Sequence, residues 1–310
     1  MAYEAIGDEL RLDRWRLARR YAAISYFAVL TWIVVAVGVP TGRTSLMAIV
    51  VVGLAISSLG HGWRRLRRVA LDWLPFTLVL MVYDLSRGVA NVISMPLHEG
   101  DIASAESWLF GGTIPTLWLQ DHFYTPGTLH WYDAIATLVY TSHFLATPIL
   151  AAVLWLRNRA IWVAYITRVI ALSVAGLVTY VLFPEAPPWL AARDGLIDPV
   201  RRLSARGLIW LDNAQRDGSN PVAAMPSLHV GLATLVALCI AGRLTGRWRY
   251  LLALYPVAMG LVLVYTGEHY VLDLVAGVGY ALIVHAVVSR WERSRLDSRP
   301  IDDREPVAVS

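Results

Sequence analysis

The chain has 310 residues, of which 57% are hydrophobic and 16% are charged, and its mean hydropathy is +0.52. Soluble domains carry about 25% charged residues, so this composition excludes a soluble enzyme with a water-facing surface. The net charge is +4, but its arginines stand in short clusters between apolar segments, which is typical of membrane orientation and argues against a nucleic-acid partner. The composition therefore predicts an all-α polytopic membrane protein.

The apolar segments have the length that a helix needs to cross a hydrocarbon core of about 30 Å. The sequence predicts eight transmembrane helices, at 21–39, 44–60, 69–95, 131–156, 160–183, 227–242, 249–266 and 268–290. A basic segment, 1–20, precedes the first of them. The polar tail, 291–310, is expected to be disordered.

Clusters of arginine lie on one side of the predicted helices. Five arginines precede the first helix, and each connection that follows an even-numbered helix is short and rich in arginine. The positive-inside rule then places both termini in the cytoplasm of a cell-membrane protein. The connections 96–130 and 184–226 lie on the extracytoplasmic side. The second has mixed charge, and long connections of that kind cross the membrane regardless of charge.

The connection 96–130 is rich in Trp, Phe, Leu and Pro. It is too apolar for an ordinary solvent loop and too interrupted to cross the membrane. It is expected to form one or two helices in the outer interface, with Trp108, Trp118 and Phe123 as anchors. Residues 201–211 are expected to behave in the same way.

Ionisable residues inside transmembrane helices are costly to bury, so each is a functional candidate. They are Asp72, Asp84, Arg87, His143, Arg168, His229, His269, Asp273 and His285. For His285 the favoured interpretation is hydrogen bonding between helices, and for His143 this interpretation and a functional role stay open.

Four separated segments reach the extracytoplasmic face of the predicted bundle. Asp84 and Arg87 lie toward that end of the third helix, and FPEAPPW at 183–189 ends the fifth. AMPSLH at 224–229 begins the sixth helix, and TGEHYVLD at 266–273 begins the eighth. Their convergence predicts an active site at the outer face.

His269 and Asp273 are four residues apart, so they share a face of a helix. A carboxylate that accepts from one imidazole N–H makes the other nitrogen a better base or nucleophile, although such a pair can also be purely structural. Ser227 is expected to cap the sixth helix with His229 in its first turn, where free backbone N–H groups bind anions. Two histidines beside an anion site predict phosphoryl transfer.

Two motifs carry a family resemblance. PSLH at 226–229, followed by GEHYVLDLVAG at 267–277, resembles the second and third signature motifs of the type 2 phosphatidic acid phosphatase (PAP2) superfamily, which read PSGH and SRxxxxxHxxxD. The third motif matches without gaps at Tyr265, Gly267, His269, Tyr270, Asp273, Ala276 and Gly277. The resemblance covers the last six predicted helices, within 69–290, and leaves the two helices within 21–68 as additions.

The departures from the family pattern indicate which branch of the superfamily the chain resembles. Val262 and Leu263 stand where the family has Ser-Arg, and Leu228 replaces the Gly of PSGH. FPEAPPW stands in place of a motif with Lys and Arg-Pro. In these features the chain is similar to the inositol phosphorylceramide synthase branch, which implies transfer of a phosphorylated head group from a phospholipid to a hydroxyl acceptor.

The resemblance implies a role for each matching residue. His269 would be the nucleophile that forms a phosphohistidine, and Asp273 would orient it. His229 would be the general acid and then the base that activates the acceptor hydroxyl, while Ser227 would help to hold phosphate. The resemblance implies no cofactor and no metal ion.

The family arginines that neutralise the charge of the phosphate are missing, so other residues must do so. Arg87 and Arg168 are the intramembrane arginines available for this purpose. Arg87 is the better candidate because it lies toward the outer face, with Asp84 about one turn away. Tyr270 and His143 complete the predicted substrate-binding set.

The leading hypothesis is a lipid phosphotransferase, with a phospholipid donor such as phosphatidylinositol and a lipid or glycolipid hydroxyl acceptor. The alternative is a lipid or polyprenyl phosphate phosphatase, which uses the same residues with water as acceptor. A transporter or scramblase is a third hypothesis. Polar residues clustered at one face, without inverted repeats, argue against it.

Overall fold

The computed structural model describes residues 2–36, 43–92, 95–203 and 222–297. Within these ranges the chain is helical, and extended pairing is limited to isolated bridges that link His98, Glu185 and Ala223. The α-helices are α1 (Ala2–Ala36), α2 (Arg43–Ser57), α3 (Trp63–Val92), α4 (Asp101–Leu109), α5 (Pro115–Phe123), α6 (Trp131–Arg157), α7 (Arg159–Leu182), α8 (Pro188–Arg193), α9 (Leu228–Ala241), α10 (Leu254–Tyr265) and α11 (Val271–Asp297). A 3-10 helix, Arg247–Ala253, leads directly into α10.

Four helical segments among the described residues are long and apolar enough to cross a membrane. They are α6, α7, the 3-10 helix together with α10, and α11 through Arg295. Ser45–Ser57 in α2 and the whole of α9 are apolar but shorter. The all-helical class and the presence of membrane-spanning helices are therefore confirmed, and the count of eight crossings stays a prediction.

Both ends of the described chain are more helical than the sequence suggests. The basic segment at the amino terminus already belongs to α1, which begins at Ala2. The expectation of disorder from residue 291 is wrong for 291–297, because α11 continues to Asp297. Glu292 in this extension forms an ion pair of 2.7 Å with Arg168 of α7, which holds the last turns in place. The remaining tail and residues 204–221 lie outside the described residues, so the expectation for 201–211 is largely untested.

The helix α9 lies at the centre of the bundle, where it packs against α6, α7, α10 and α11. Its sequence, LHVGLATLVALCIA, is apolar on every face, which is the pattern of a fully buried helix. Val230, Ala233 and Leu235 are all buried in the core. Because α9 contacts four helices at once, its position fixes the relative placement of its neighbours.

The backbone at the amino end of α9 is in direct contact with the backbone of the first turns of α11. Ser227 N–H donates to the carbonyl of Asp273 at 3.0 Å. A Cβ atom at Gly277 would lie only 2.3 Å from the carbonyl oxygen of Ser227. Glycine at this position is therefore what permits the two helices to approach so closely.

The turn between α10 and α11 also requires a glycine. Gly267 has a φ of +76°, and a Cβ atom there would lie 2.7 Å from Val200 Cγ1. Gln120 of α5 fastens this turn, because its Nε2 donates to the carbonyls of Tyr265 at 2.9 Å and Arg201 at 2.8 Å. The loop before α11 is thus held by α5 and by the segment that ends at Leu203.

The helices α4 and α5 form within 96–130, as the sequence predicts. The proposed anchors Trp108, Trp118 and Phe123 are 83%, 48% and 44% exposed, so all three are available to an interface. On the inner face of α4, Glu106 is fully buried, and its Oε1 accepts a hydrogen bond of 2.5 Å from Val271 N–H. Glu106 therefore caps the amino terminus of α11 from another helix.

Asp72 of α3 has a structural explanation. Arg159 of α7 donates to both of its carboxylate oxygens, at 2.6 and 2.8 Å, and the indole N–H of Trp155 donates at 2.9 Å. This ionic contact ties α3 to the junction of α6 and α7. These contacts between helices account for the buried charge of Asp72.

The close approach at Gly277 yields the first prediction. Gly277→Ala should lower the free energy of unfolding by about 1–3 kcal/mol, because the new methyl group clashes with backbone that cannot rotate away. Thermal unfolding of the purified protein in detergent measures the change. Gly279→Ala is the matched control, since a Cβ atom there meets nothing within 4 Å. Equal melting temperatures for the two variants would refute the role assigned to Gly277.

The cap on α11 predicts a pH dependence of stability. Burial raises the pKa of Glu106 to about 7, and the hydrogen bond from Val271 N–H opposes this rise. Because the folded-state pKa lies above the ordinary value of about 4.3, ionisation disfavours the folded protein. Its stabilising contribution is complete below the ordinary pKa and is lost as the pH rises through about 7.

Glu106→Gln keeps an oxygen acceptor for Val271 N–H and removes the titration. We expect the melting temperature of the wild-type protein to fall more steeply between pH 5 and 8 than that of the variant, with each unit of pKa shift worth about 1.4 kcal/mol. Melting curves at four pH values measure both slopes. Parallel slopes would contradict the assignment.

Candidate active site

Three side chains of the predicted site form a chain of contacts. His269 Nδ1 lies 3.2 Å from Asp273 Oδ2, and His269 Nε2 lies 3.3 Å from His229 Nδ1. Tyr270 N–H donates to Asp273 Oδ2 at 2.9 Å, which fixes the carboxylate. Asp273 is fully buried, His269 is 5% exposed, and His229 is half-buried. The arrangement offers an oriented nucleophilic nitrogen, Nε2, with a second imidazole within proton-transfer distance.

Ser227 holds the start of α9, as the sequence predicts. Its Oγ accepts from Val230 N–H at 3.5 Å, and the side chain is fully buried. Tyr180 of α7 donates to the carbonyl of Pro226 at 2.7 Å, which anchors the segment before the cap. His229 follows in the first turn of α9, where the helix dipole favours a negatively charged ligand.

His143 belongs to the same cluster. Its ring centroid lies 4.1 Å from that of His229. Tyr140 stacks on the same imidazole at 5.4 Å, and Phe144 meets it edge-on at 6.3 Å. One face of α6 thus forms a wall of rings against His229, and the structure brings His143 to the site.

Tyr270 has a different position from the one expected. It is fully buried, and its ring packs with Ala103 of α4 and Ile114 before α5. The backbone N–H of Tyr270 serves the site, but its side chain points into the packing between α4 and α11. The expectation that this side chain binds substrate is therefore not supported.

Arg168 is far from the histidines. Its guanidinium donates to Glu292 at 2.7 and 2.9 Å and to Ser289 at 2.8 Å. Glu292 follows Asp273 by nineteen residues, which corresponds to about 28 Å along a helix. The expected phosphate contact of Arg168 is therefore not supported. The sequence position of Arg168 within a helix gave no sign that Glu292 is its partner. The side chains of Asp84 and Arg87 lie outside the described residues.

Two buried carboxyl groups beside Asp273 escaped the sequence analysis. They are Glu106 of α4 and Glu185 of the FPEAPPW segment, both with no exposed surface. Burial and the neighbouring charges of Asp273 and Glu106 raise the pKa of Glu185 well above its ordinary range. The signal available in the sequence was the presence of Glu185 in one of the four converging segments.

A basic residue near the site was also missed. Arg202 forms a two-pronged contact with Glu268, at 2.7 and 3.1 Å, and its guanidinium lies 4.7 Å from the ring centre of Trp189. Glu268 precedes His269 in the chain, so this pair borders the site. Across the described ranges, no group of three or more His, Cys, Asp or Glu side chains is arranged to hold a metal ion.

Two known proteins are similar to the chain. The chain is 25% identical over 242 residues to the phosphoinositol dihydroceramide synthase of Bacteroides thetaiotaomicron, a match that covers 70% of this chain and 75% of that protein. It is 30% identical over 142 residues to the inositol phosphorylceramide synthase catalytic subunit aur1 of Schizosaccharomyces pombe, a match that covers 42% of this chain and 33% of that protein.

No solved structure matches the chain. The family model described as the PAP2 superfamily matches residues 101–287, more than half of the chain, and this range contains His143, Ser227, His229, His269 and Asp273. The chain therefore belongs to the PAP2 superfamily of phosphotransferases and phosphatases, and within it to the inositolphosphotransferase-like branch.

Proposed function

We propose that the protein is an integral-membrane lipid phosphotransferase that moves a phosphorylated head group from a phospholipid to a hydroxyl acceptor. The observation that carries this proposal is the contact chain from Asp273 through His269 to His229. Both relatives are named as synthases of inositol-phosphorylated ceramides. Their names favour phosphatidylinositol as donor and a lipid hydroxyl group as acceptor.

In the first step, the lone pair of His269 Nε2 forms a bond to phosphorus, and the bond from phosphorus to the glycerol oxygen breaks. Asp273 Oδ2 holds the Nδ1 proton and stabilises the positive charge that develops on the ring. His229 donates a proton to the leaving oxygen, so a diacylglycerol departs. The product is a phosphohistidine that carries the head group.

In the second step, His229 accepts the proton of the acceptor hydroxyl, whose oxygen attacks phosphorus. The nitrogen–phosphorus bond breaks, and its electron pair returns to Nε2. Transfer competes with hydrolysis here, and the rings of Tyr140, His143 and Phe144 around His229 favour an organic alcohol over water. Charge on the phosphate is balanced by the amino terminus of α9 and, as the sequence indicates, by Arg87 with Asp84 nearby.

The membrane arrangement belongs to the same proposal. The chain crosses the membrane eight times, with both termini cytoplasmic and the active site at the extracytoplasmic face of a cell membrane. The catalytic domain spans 69–290, preceded by the basic segment 1–20 and the two added helices of 21–68, and followed by the tail 291–310. The arginine clusters support this orientation.

A transfer assay tests the activity. Purified protein in detergent receives phosphatidylinositol or phosphatidic acid, with and without diacylglycerol, ceramide or polyprenol, and mass spectrometry follows the lipid and water-soluble products. His269→Ala should lower the turnover at least a thousandfold, because the nucleophile is lost. Asp273→Asn should lower it by about a hundredfold or more, because the imidazole loses its anionic partner.

The products decide between transfer and hydrolysis. A new phosphorylated lipid that requires both acceptor and His269 establishes transfer. A water-soluble phosphate ester or free phosphate, formed at a rate independent of acceptor, would replace the proposal with a phosphatase. Equal activity in the wild type and His269→Ala would refute the assigned nucleophile.

Cysteine labelling tests the orientation. Cys239 is the one cysteine of the chain, so Cys239→Ser provides a silent background. Asp121→Cys lies on α5, where the native side chain is 85% exposed, and Thr245→Cys lies in an exposed connection after α9. In intact cells a membrane-impermeant maleimide should label Asp121→Cys. It should label Thr245→Cys only after the cells are permeabilised. The opposite pattern would invert the proposed topology.

A further inference from the structure

Three carboxyl groups share one buried cluster at the start of α11. Glu106, Glu185 and Asp273 each have no exposed surface, and the charge of Asp273 acts on both glutamates. They come from α4, from the segment between α7 and α8, and from α11. Adjacent carboxylates without access to water cannot all stay ionised, because desolvation and mutual repulsion favour a proton on at least one of them. The hydrogen bonds in the cluster identify which one.

Each carboxyl group receives a different number of donors. Asp273 Oδ2 faces His269 Nδ1 at 3.2 Å and accepts from Tyr270 N–H at 2.9 Å. Glu106 Oε1 accepts from Val271 N–H at 2.5 Å. Both oxygens of Glu185 and Oδ1 of Asp273 are buried without a donor. Because Glu185 has no group that stabilises its charge, it is the residue that holds the proton.

The backbone around Glu185 keeps its side chain in the cluster. Glu185 N–H donates to the carbonyl of Val222 at 2.9 Å, and Ala186 N–H donates to the carbonyl of His98 at 3.1 Å. The segment is thus held between two neighbours in extended pairing. The backbone that carries the Glu185 side chain is therefore fixed beside the cluster.

We propose that Glu185 is a positioning residue of the active site, whose protonated carboxyl group donates its O–H to Asp273 Oδ1. This inference deepens the proposed function and rests on it. The proton stays on Glu185, and Asp273 stays ionised with Oδ2 reserved for His269. Because the donor on Oδ1 draws charge away from Oδ2, it lowers the basicity of the carboxylate and keeps the Nδ1 proton on the imidazole, while Nε2 keeps its lone pair for phosphorus.

The titratable groups around Glu185 favour a protonated carboxyl group, because those that act on it are acidic. Asp273 and Glu106 are acidic, and Tyr270 has a buried hydroxyl group without a partner. His98, whose backbone pairs with this segment, has its Nδ1 2.7 Å from Asp101 Oδ2 and its ring stacked on Phe183. Burial and the charge of Asp273 both raise the pKa of Glu185.

Two substitutions separate a hydrogen-bond donor from mere bulk. Glu185→Gln places an amide N–H donor beside Asp273 Oδ1, and Glu185→Met fills a similar space without a donor. We expect Glu185→Gln to keep kcat within about threefold of the wild type. We expect Glu185→Met to lose about 10- to 100-fold in kcat with little change in KM, which is the range for a hydrogen bond to a charged group. Glu99→Gln, outside the cluster, serves as the matched control.

The two activities also give the results that would overturn the proposal. If Glu185→Met keeps the wild-type kcat, Asp273 needs no donor on Oδ1. If Glu185→Gln loses as much activity as Glu185→Met, the site requires the carboxyl group itself and not a donor. Both outcomes count only against Glu185, because the wild-type assay and His269→Ala report on the proposed function independently.

Infrared spectroscopy tests the proton without any substrate. At about pH 8.5, above the pKa of Glu106, the spectrum of the wild type should contain the C=O stretch of a protonated carboxylic acid. The difference spectrum against Glu185→Gln should show that this band is lost, and Glu99→Gln should retain it. A wild-type spectrum without the band would refute the protonated state of Glu185 even if the transfer activity is found as proposed.

Discussion

The contact between the amino end of α9 and the first turns of α11 determines the position of the two histidines. Ser227 N–H bonds to the carbonyl of Asp273, and Gly277 leaves room for the carbonyl of Ser227. Two residues after this contact, α9 presents His229, while His269 stands one turn before Asp273. The gap of 3.3 Å between the imidazoles is therefore set by backbone packing. A side chain at Gly277 would push against the carbonyl of Ser227, and so would disturb the contact that places the two histidines.

The same turn of α11 collects polar groups from distant parts of the chain. Glu106 comes from α4, Glu185 comes from the segment between α7 and α8 and has Asp273 as a charged neighbour, and Gln120 of α5 holds the preceding loop. The contacts of Glu106 and Gln120 pair backbone groups of Val271 and Tyr265 that would otherwise be buried without a partner. The inner faces of α4 and α5 thus support the segment that carries His269, through Glu106 and Gln120.

The sequence predicts the helical class, the pairing of His269 with Asp273 and the meeting with His229. The pair forms as its spacing predicts, but His269 lies just before α11, which begins at Val271, and not on that helix. The meeting with His229 follows from the predicted convergence of the two motif segments. The sequence does not predict partners that depend on long-range packing. Arg168 looks available as an isolated intramembrane charge, yet Glu292 on another helix holds it. Glu106 lies in an apolar interfacial segment that gives no sign that one carboxylate turns inward. Tyr270 belongs to a signature motif, but its side chain packs behind the site.

The helices α7 and α11 are joined at two levels. Thr179 and Tyr280 share a hydrogen bond of 2.8 Å, and Arg168 bonds to Ser289 and Glu292, which lie nine and twelve residues beyond Tyr280 on α11. Sliding of one helix past the other would break both sets of contacts, so α7 and α11 are held in a fixed register. On its other side α11 has little contact with α10, and the two border a groove of about 1020 Å³ with apolar walls. Separating α11 from α10 would therefore break fewer contacts than separating it from α7.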